Sequence, residues 1–139
     1  MISRVEVKGV DELAKNIENL KRGMLSELED SADAGAQLTA SIVRSRAPGS
    51  LREGVATKRL PRKEGYPAVS MVGIKWFGYQ HAHLVEFGTA GRYHKSGKYV
   101  GAIPAPANPF FRGSIDAARS AVKGSFVSGA TKAIKGAGK

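Results

Sequence analysis

The chain contains no cysteine, which removes disulfide frameworks, thiolate metal sites and thiol nucleophiles together and fits manufacture in a reducing cytosol. It also lacks any stretch near the ~20 consecutive apolar residues that a membrane-spanning helix needs. The opening Met1-Ile2-Ser3-Arg4-Val5-Glu6 carries charge where a signal peptide has its apolar run, so a soluble protein is expected. Carboxylates are scarce after Asp33: only Glu53, Glu64, Glu86 and Asp116 follow, few for paired acid–base chemistry. No Gly-x-Ser-x-Gly elbow and no phosphate-cradling glycine turn after a strand is present. These absences point away from an enzyme, and no cofactor is expected.

What is present suffices for a folded core. Hydrophobic residues make up 42% of 139 positions, enough for one domain spanning the whole of 1–139. The net charge of +10 is unevenly spread: residues 1–43 hold five Lys/Arg against eight Asp/Glu, and residues 44–139 hold seventeen against four. Two electrostatic faces of this kind suit head-to-tail subunit contacts or an anionic partner.

Alternation of Val5 and Val7 with charged neighbours predicts a strand over Ser3–Lys8, broken by Gly9. Asp11 is then placed to cap a helix. Leu13, Ile17, Leu20, Met24 and Leu28, continued by Ala32, Gly35 or Ala36, Leu38 or Thr39, and Ile42, form an amphipathic stripe over roughly thirty-five residues. A kink is expected near Gly23 or Gly35. Its second half is rich in alanine, glycine and serine, which permits close approach of another element. Pro48-Gly49 ends it.

The middle reads as sheet: Leu51–Leu60 and Ala68–Phe77 are expected as antiparallel strands joined by the basic loop Pro61-Arg62-Lys63-Glu64-Gly65, and His83–Phe87 as a third. With the first strand they would make a three- or four-stranded sheet covered by the long helix. Residues 88–107, punctuated by Gly88, Gly91, Gly97, Gly101, Pro104 and Pro106, read as a long loop or extended hairpin arm. Asn108-Pro109 predicts a helix start, with Phe111, Ile115, Ala118, Val122, Phe126 and Ala130 as its apolar stripe. Residues 135–139 form a tail expected to fray. The fold class is therefore α+β: a small antiparallel sheet packed by a long N-terminal helix, a C-terminal helix and an arm.

Two constellations invite a chemical reading. His81-x-His83 on a strand puts both rings on one face, and Glu86 offers an oxygen ligand, with His94 further on. Histidines at this spacing are common without a metal, so no metal site is expected. Arg44, Arg46, Arg52, Lys58, Arg59, Arg62 and Lys63 cluster within twenty residues, and Arg92, Lys95 and Lys98 flank Tyr93 and Tyr99. Basic side chains interleaved with aromatics neutralise phosphates and stack on bases, so Lys58, Arg59, Arg62, Lys63, Arg92, Lys95 and Lys98 are candidate contacts to DNA or another anionic partner. Phe110 and Phe111 are adjacent on a helix and cannot both face one core.

Three stretches in order carry a resemblance: the long helix ending Arg44-Ser45-Arg46-Ala47-Pro48, then His83-Leu84-Val85-Glu86-Phe87-Gly88-Thr89, then Ile103-Pro104-Ala105-Pro106-Ala107-Asn108-Pro109-Phe110-Phe111-Arg112. Together they resemble the siphophage head–tail joining, neck and tail-completion family, with a looser likeness to lambdoid minor tail proteins. Members carry a similar Val-Glu-Phe-Gly-Thr segment, a variable loop and a Pro-x-x-Pro-Phe-x-Arg lead into the last helix. The resemblance implies a structural virion protein of the neck or tail, made in the bacterial cytoplasm and forming a homo-oligomeric ring of roughly six or twelve copies. Its implied neighbours are head-closure, tail-terminator or tail-tube proteins, with packaged DNA passing through the channel and no membrane. Tyr93, Tyr99, Pro104, Pro106, Phe110 and Phe111 are the expected interface residues. The alternative reading is a basic DNA-binding protein using residues 44–63 and 92–98.

Overall fold

A computed structural model describes residues 8–61, 69–103 and 108–137. It is α+β: a long N-terminal helix, two small antiparallel sheets and a C-terminal helix. The strand expected at Ser3–Lys8 falls almost wholly outside the described residues.

The first helix, α1 (Val10–Arg46), has 37 residues, a length of roughly 55 Å at helical rise. It runs uninterrupted through Gly23 and Gly35. Its start differs from expectation. Gly9, at φ 92°, takes the cap position without a side-chain bond, and Asp11 and Glu12 lie in the first turn, where the helix dipole favours them. Arg44 and Arg46 complement the last turn, and Ala47, extended before Pro48, closes the helix by donating its N–H to Val43 O at 2.8 Å.

After one turn of helix, α2 (Leu51–Gly54), the chain enters β1 (Val55–Arg59), which pairs antiparallel with β2 (Ser70–Ile74) in register Val55↔Ile74 to Arg59↔Ser70. The strand expected over Leu51–Leu60 thus begins four residues late, because the turn after Pro48 winds Leu51 into the core. Gly54 is required here: a Cβ would lie 2.7 Å from the Tyr79 ring that packs on its backbone.

The segment expected as a third strand is instead a short helix, α3 (Ala82–Phe87), ended by Gly88 at φ 77°. A four- or five-residue apolar run does not distinguish strand from helix by its spacing. Beyond Gly88 lies a hairpin, β3 (Thr89–Tyr93) and β4 (Tyr99–Ile103), paired antiparallel with an irregular register. Of the two forms expected for 88–107, the described residues take the hairpin. Two separate two-stranded sheets replace the single larger one.

The final helix, α4 (Phe110–Ala137), lies antiparallel along α1, with Gly113 near Arg46, Gly35 against Val122, and Lys132 2.8 Å from Glu27. Its first residue is Phe110, so Pro109 occupies the cap position expected of Asn108. Lys135–Ala137 continue the helix rather than fraying, and Gly138 and Lys139 lie outside the described residues. The inward face holds Phe110, Ser114, Ala118, Gly129 and Ala133, with Val122 against Gly35: Ala118 and Val122 of the expected stripe face α1, and at its start Phe110 and Ser114 are buried deeper than Phe111 and Ile115. Where α4 lies closest to α1, Ser114, Ala118, Gly129 and Ala133 supply the small side chains that close approach favours. Ser31 and Thr39 of α1 are buried there with their hydroxyls bonded to Glu27 O (2.7 Å) and Gly35 O (2.8 Å).

The core proper is small: Ala40, Val43, Ala47, Leu51, Val55 and Phe110, with Val72, Ile74, Tyr79, Val85 and Phe111 packed around it. Arg59 spans from β1 to α1, reaching Glu29 at 2.9 Å and Asp33 at 3.0 Å, and Ser70 bonds Asp33. The Glu27 carboxylate raises the Lys132 ammonium above its ordinary pKa, first by hydrogen bond and then by charge. With a raised folded value, this pair's contribution is complete below the ordinary lysine range and is lost only in stronger alkali.

Glycine positions on α4 give opposed predictions. Gly124 borders an open groove of about 580 Å³ between the helices, and a Cβ there meets nothing within 4 Å. Gly124→Ala is expected to stabilise by about 1 kcal/mol, a rise of roughly 3–5 °C in Tm. Gly129→Ala gains the same propensity, but its Cβ runs into Ser31 Oγ and lies 3.2 Å from Glu27 O, so Tm should fall. Calorimetry showing both variants stabilised would refute the close helix contact.

Candidate assembly surfaces

The joint between α3 and α4 is built around Glu86. Helical winding of α3 turns Ala82, Val85 and Glu86 inward at spacings of three and four, and Glu86 is only 7% exposed. Its carboxylate accepts the N–H of Phe111 at 2.8 Å and of Arg112 at 2.9 Å. Those are the second and third N–H groups of α4, which have no partner within the helix, and Pro109 before them has no capping side chain. Phe110 N–H goes to Asn108 O at 2.8 Å and Gly113 N–H to Pro109 O at 3.0 Å, so the first turn is satisfied. Asn108 N–H donates to Val85 O at 3.2 Å, and the Arg112 guanidinium lies 4.6 Å over the Phe87 ring. A strand at His83–Phe87, as expected from sequence, would have put Glu86 on the face opposite Val85. The helix instead turns both inward, Glu86 buried and Val85 half-buried.

This joint holds both roots of the hairpin arm. The chain leaves it at Gly88 and returns at Asn108. Beyond the roots, residues 90–100 are all exposed. Tyr93 and Tyr99 pack edge to face at 5.3 Å between centroids, and Gly91 leaves room for the Tyr99 ring, which would lie 3.0 Å from a Cβ. The tip closes with His94 N–H to Lys98 O at 2.7 Å and Gly97, at φ 81°, to His94 O at 2.8 Å. Arg92, Lys95 and Lys98 stand on it, and the sequence has no acid between Glu86 and Asp116.

The other expected sites fare unevenly. Phe110 is 2% exposed and belongs to the core, so its side chain offers no surface to another subunit. Phe111 is half-buried beside it. Tyr93 and Tyr99, 70% and 53% exposed, remain open on the arm. Pro104, Pro106, Arg62 and Lys63 lie outside the described residues. Of the basic cluster, Lys58 is exposed, but Arg59 is neutralised by two carboxylates, Arg44 donates to Val55 O at 3.0 Å, and Arg52 to Ala47 O at 2.8 Å. These arginines brace the fold. His81 and His83 flank the start of α3 in exposed positions, and His94 sits at the arm tip. Among the described residues no three of His, Asp and Glu gather as a metal site, and no helix is long and apolar enough to cross a membrane.

Sequence reasoning missed two exposed apolar groups. Trp76 and Phe77, 70% and 91% exposed, sit at a turn after β2. Val10, Leu13 and Ile17, 55%, 60% and 57% exposed, occupy a part of α1 that no described element covers. The usable signal was length: the N-terminal periodicity runs about ten residues longer than the C-terminal one.

Comparison of the chain with known family models, curated proteins and solved structures finds no match in any of the three.

Glu86 is the residue whose loss should be felt most at the arm. Glu86→Ala strands two N–H groups and is expected to cost roughly 2–3 kcal/mol, and Glu86→Gln, with one accepting oxygen, about half of that. Chemical denaturation gives the size, and faster hydrogen exchange at Phe111 and Arg112 gives the location. Unchanged exchange at those two amides would mean that the carboxylate does not hold the helix start.

Proposed function

We propose that the chain is a structural subunit of a tailed bacteriophage, working at the head–tail junction or the head-proximal end of the tail. Copies assemble as a homomeric ring of roughly six or twelve subunits between head-closure, tail-terminator or tail-tube proteins. It is made in the host cytoplasm and ends in the virion.

The observation that carries this reading is surface. Much of what is exposed is apolar and large: Val10, Leu13, Ile17, Trp76, Phe77, Phe87, Tyr93 and Tyr99 all exceed half exposure. A subunit whose neighbours complete its cover has this profile. A second observation supports the family resemblance. The Val85-Glu86-Phe87-Gly88-Thr89 segment and the Pro109-Phe110-Phe111-Arg112 segment, far apart in sequence, meet as two halves of one joint through the Glu86 carboxylate.

The exposed arm also favours one specific rival, DNA binding through Arg92, Lys95 and Lys98 with Tyr93 and Tyr99 as stacking platforms. The two readings separate on mass and salt. As a ring subunit the chain should show a defined multimeric mass by light scattering and co-purify with virion components. A chain that stays monomeric and is taken up by no virion component would defeat the proposal. The rival instead expects DNA affinity that drops steeply with salt, by about three orders of magnitude between 50 and 200 mM if six phosphates are neutralised.

A further inference from the structure

We infer that the arm is a two-stranded ribbon that enters the major groove of duplex DNA, with Arg92, Lys95 and Lys98 on the phosphates. This goes beyond the ring reading and does not depend on it, since a ring subunit and a monomer present the same arm. β3 and β4 pair antiparallel, and residues 90–100, tip included, are all exposed. The six residues from Thr89 to His94 span roughly 20 Å at strand rise. The major groove of B-form DNA, roughly 12 Å wide and 8.5 Å deep, admits a two-stranded ribbon, whereas the undeformed minor groove, roughly 6 Å wide, is too narrow for one. The deep, narrow major groove of duplex RNA excludes it as well. Backbone bonds close the tip, and the Glu86 joint holds the helix start to which the arm returns, so little order is lost when the arm docks.

Charge selects a polyanion for this ribbon. The sequence has no acid between Glu86 and Asp116, and Glu86 is engaged at the start of α4. Among the described residues none of Arg92, Lys95 and Lys98 forms an ion pair, whereas Arg59 and Lys132 do. Arg92 pairs across the ribbon with Gly101, so no cross-strand side chain stands beside it, and Lys95 and Lys98 flank Gly97 at the tip. Tyr93 and Tyr99, 70% and 53% exposed, add hydroxyl donors, which also reach phosphate oxygens. Contacts of this kind position a protein on the duplex without reading its sequence. Three neutralised phosphates make the affinity of one arm fall about fortyfold between 50 and 200 mM salt, half the exponent of a six-phosphate DNA-binding protein. One arm is thus a weak contact, and several arms on one duplex add up.

Fluorescence anisotropy of the full chain with a labelled DNA duplex tests this, with the same sequence as single strand and as duplex RNA alongside. The DNA duplex should bind tightest. Arg92→Gln, Lys95→Gln and Lys98→Gln together should lower its affinity at least roughly tenfold and flatten the log–log salt slope by about 2.7. Lys8→Gln, Lys15→Gln and Lys21→Gln remove the same charge from exposed positions near the start of the chain and should change little. All six positions are exposed, so circular dichroism should stay the same. In a dimethyl sulfate footprint the wild type should protect guanine N7, which opens on the major groove. Equal losses in the two triple variants would reduce the binding to bulk charge and overturn the inference. So would protection of adenine N3 in the minor groove instead, tighter binding to the single strand, or competition by polyglutamate as effective as by duplex. Loss of multimeric mass in the arm variant would make the arm a subunit contact, which overturns it too. Light scattering keeps the two readings apart: a monomer that holds duplex through the arm supports this inference and removes the ring, and a multimer that ignores duplex does the reverse.

Discussion

One carboxylate organises the end of this protein where α3 meets α4. Glu86 reaches from α3 to the first turn of α4 and takes the two N–H groups that Pro109, lacking a capping side chain, leaves without a partner. The bond is charge-assisted and nearly sealed from water, and the helix dipole adds to it. Because Glu86 and Arg112 bracket the hairpin in sequence, the same interaction that starts α4 also fixes both roots of the arm. Fold stability and presentation of the arm therefore share one cause.

The rest of the subunit is economical in its core. α1 and α4 meet through glycine, alanine and serine, so their backbones lie close, but each buried side chain contributes little apolar area. Phe110 and Leu51 are the largest residues that are almost fully buried, and larger apolar groups such as Trp76 and Phe77 face outward. A chain built this way holds a definite shape with a thin core and leaves large apolar side chains exposed.

Charge is arranged in keeping with this. Arg59 lies against Glu29 and Asp33, and Lys132 against Glu27, so the middle of α1 is neutralised by its own chain. Half-exposed pairs of this type contribute little to stability, but they orient β1 and α4 on α1. Arg92, Lys95 and Lys98 on the arm stand exposed.

Periodicity alone determined the two long helices, the break at Pro48-Gly49, the antiparallel strands at Lys58 and Val72 and the α+β class, because spacing of apolar residues is a local property that backbone geometry reads directly. The glycine and proline rhythm of 88–107 marked a loop or a hairpin, and hydrogen bonding across the arm decided between them. The helix at His83–Phe87 was not legible, since Leu-Val-Glu-Phe is too short for its spacing to separate strand from helix. With it went the role of Glu86, which depends on a partner twenty-five residues away. Periodicity also placed Ala118 and Val122 on the inward face of α4, while helix contact decided Ser114 over Ile115 and brought in Gly129, where the backbones lie close. Likewise, that Val10, Leu13 and Ile17 stand uncovered follows from where α4 lies along α1, a relation between two elements that neither stretch of sequence contains.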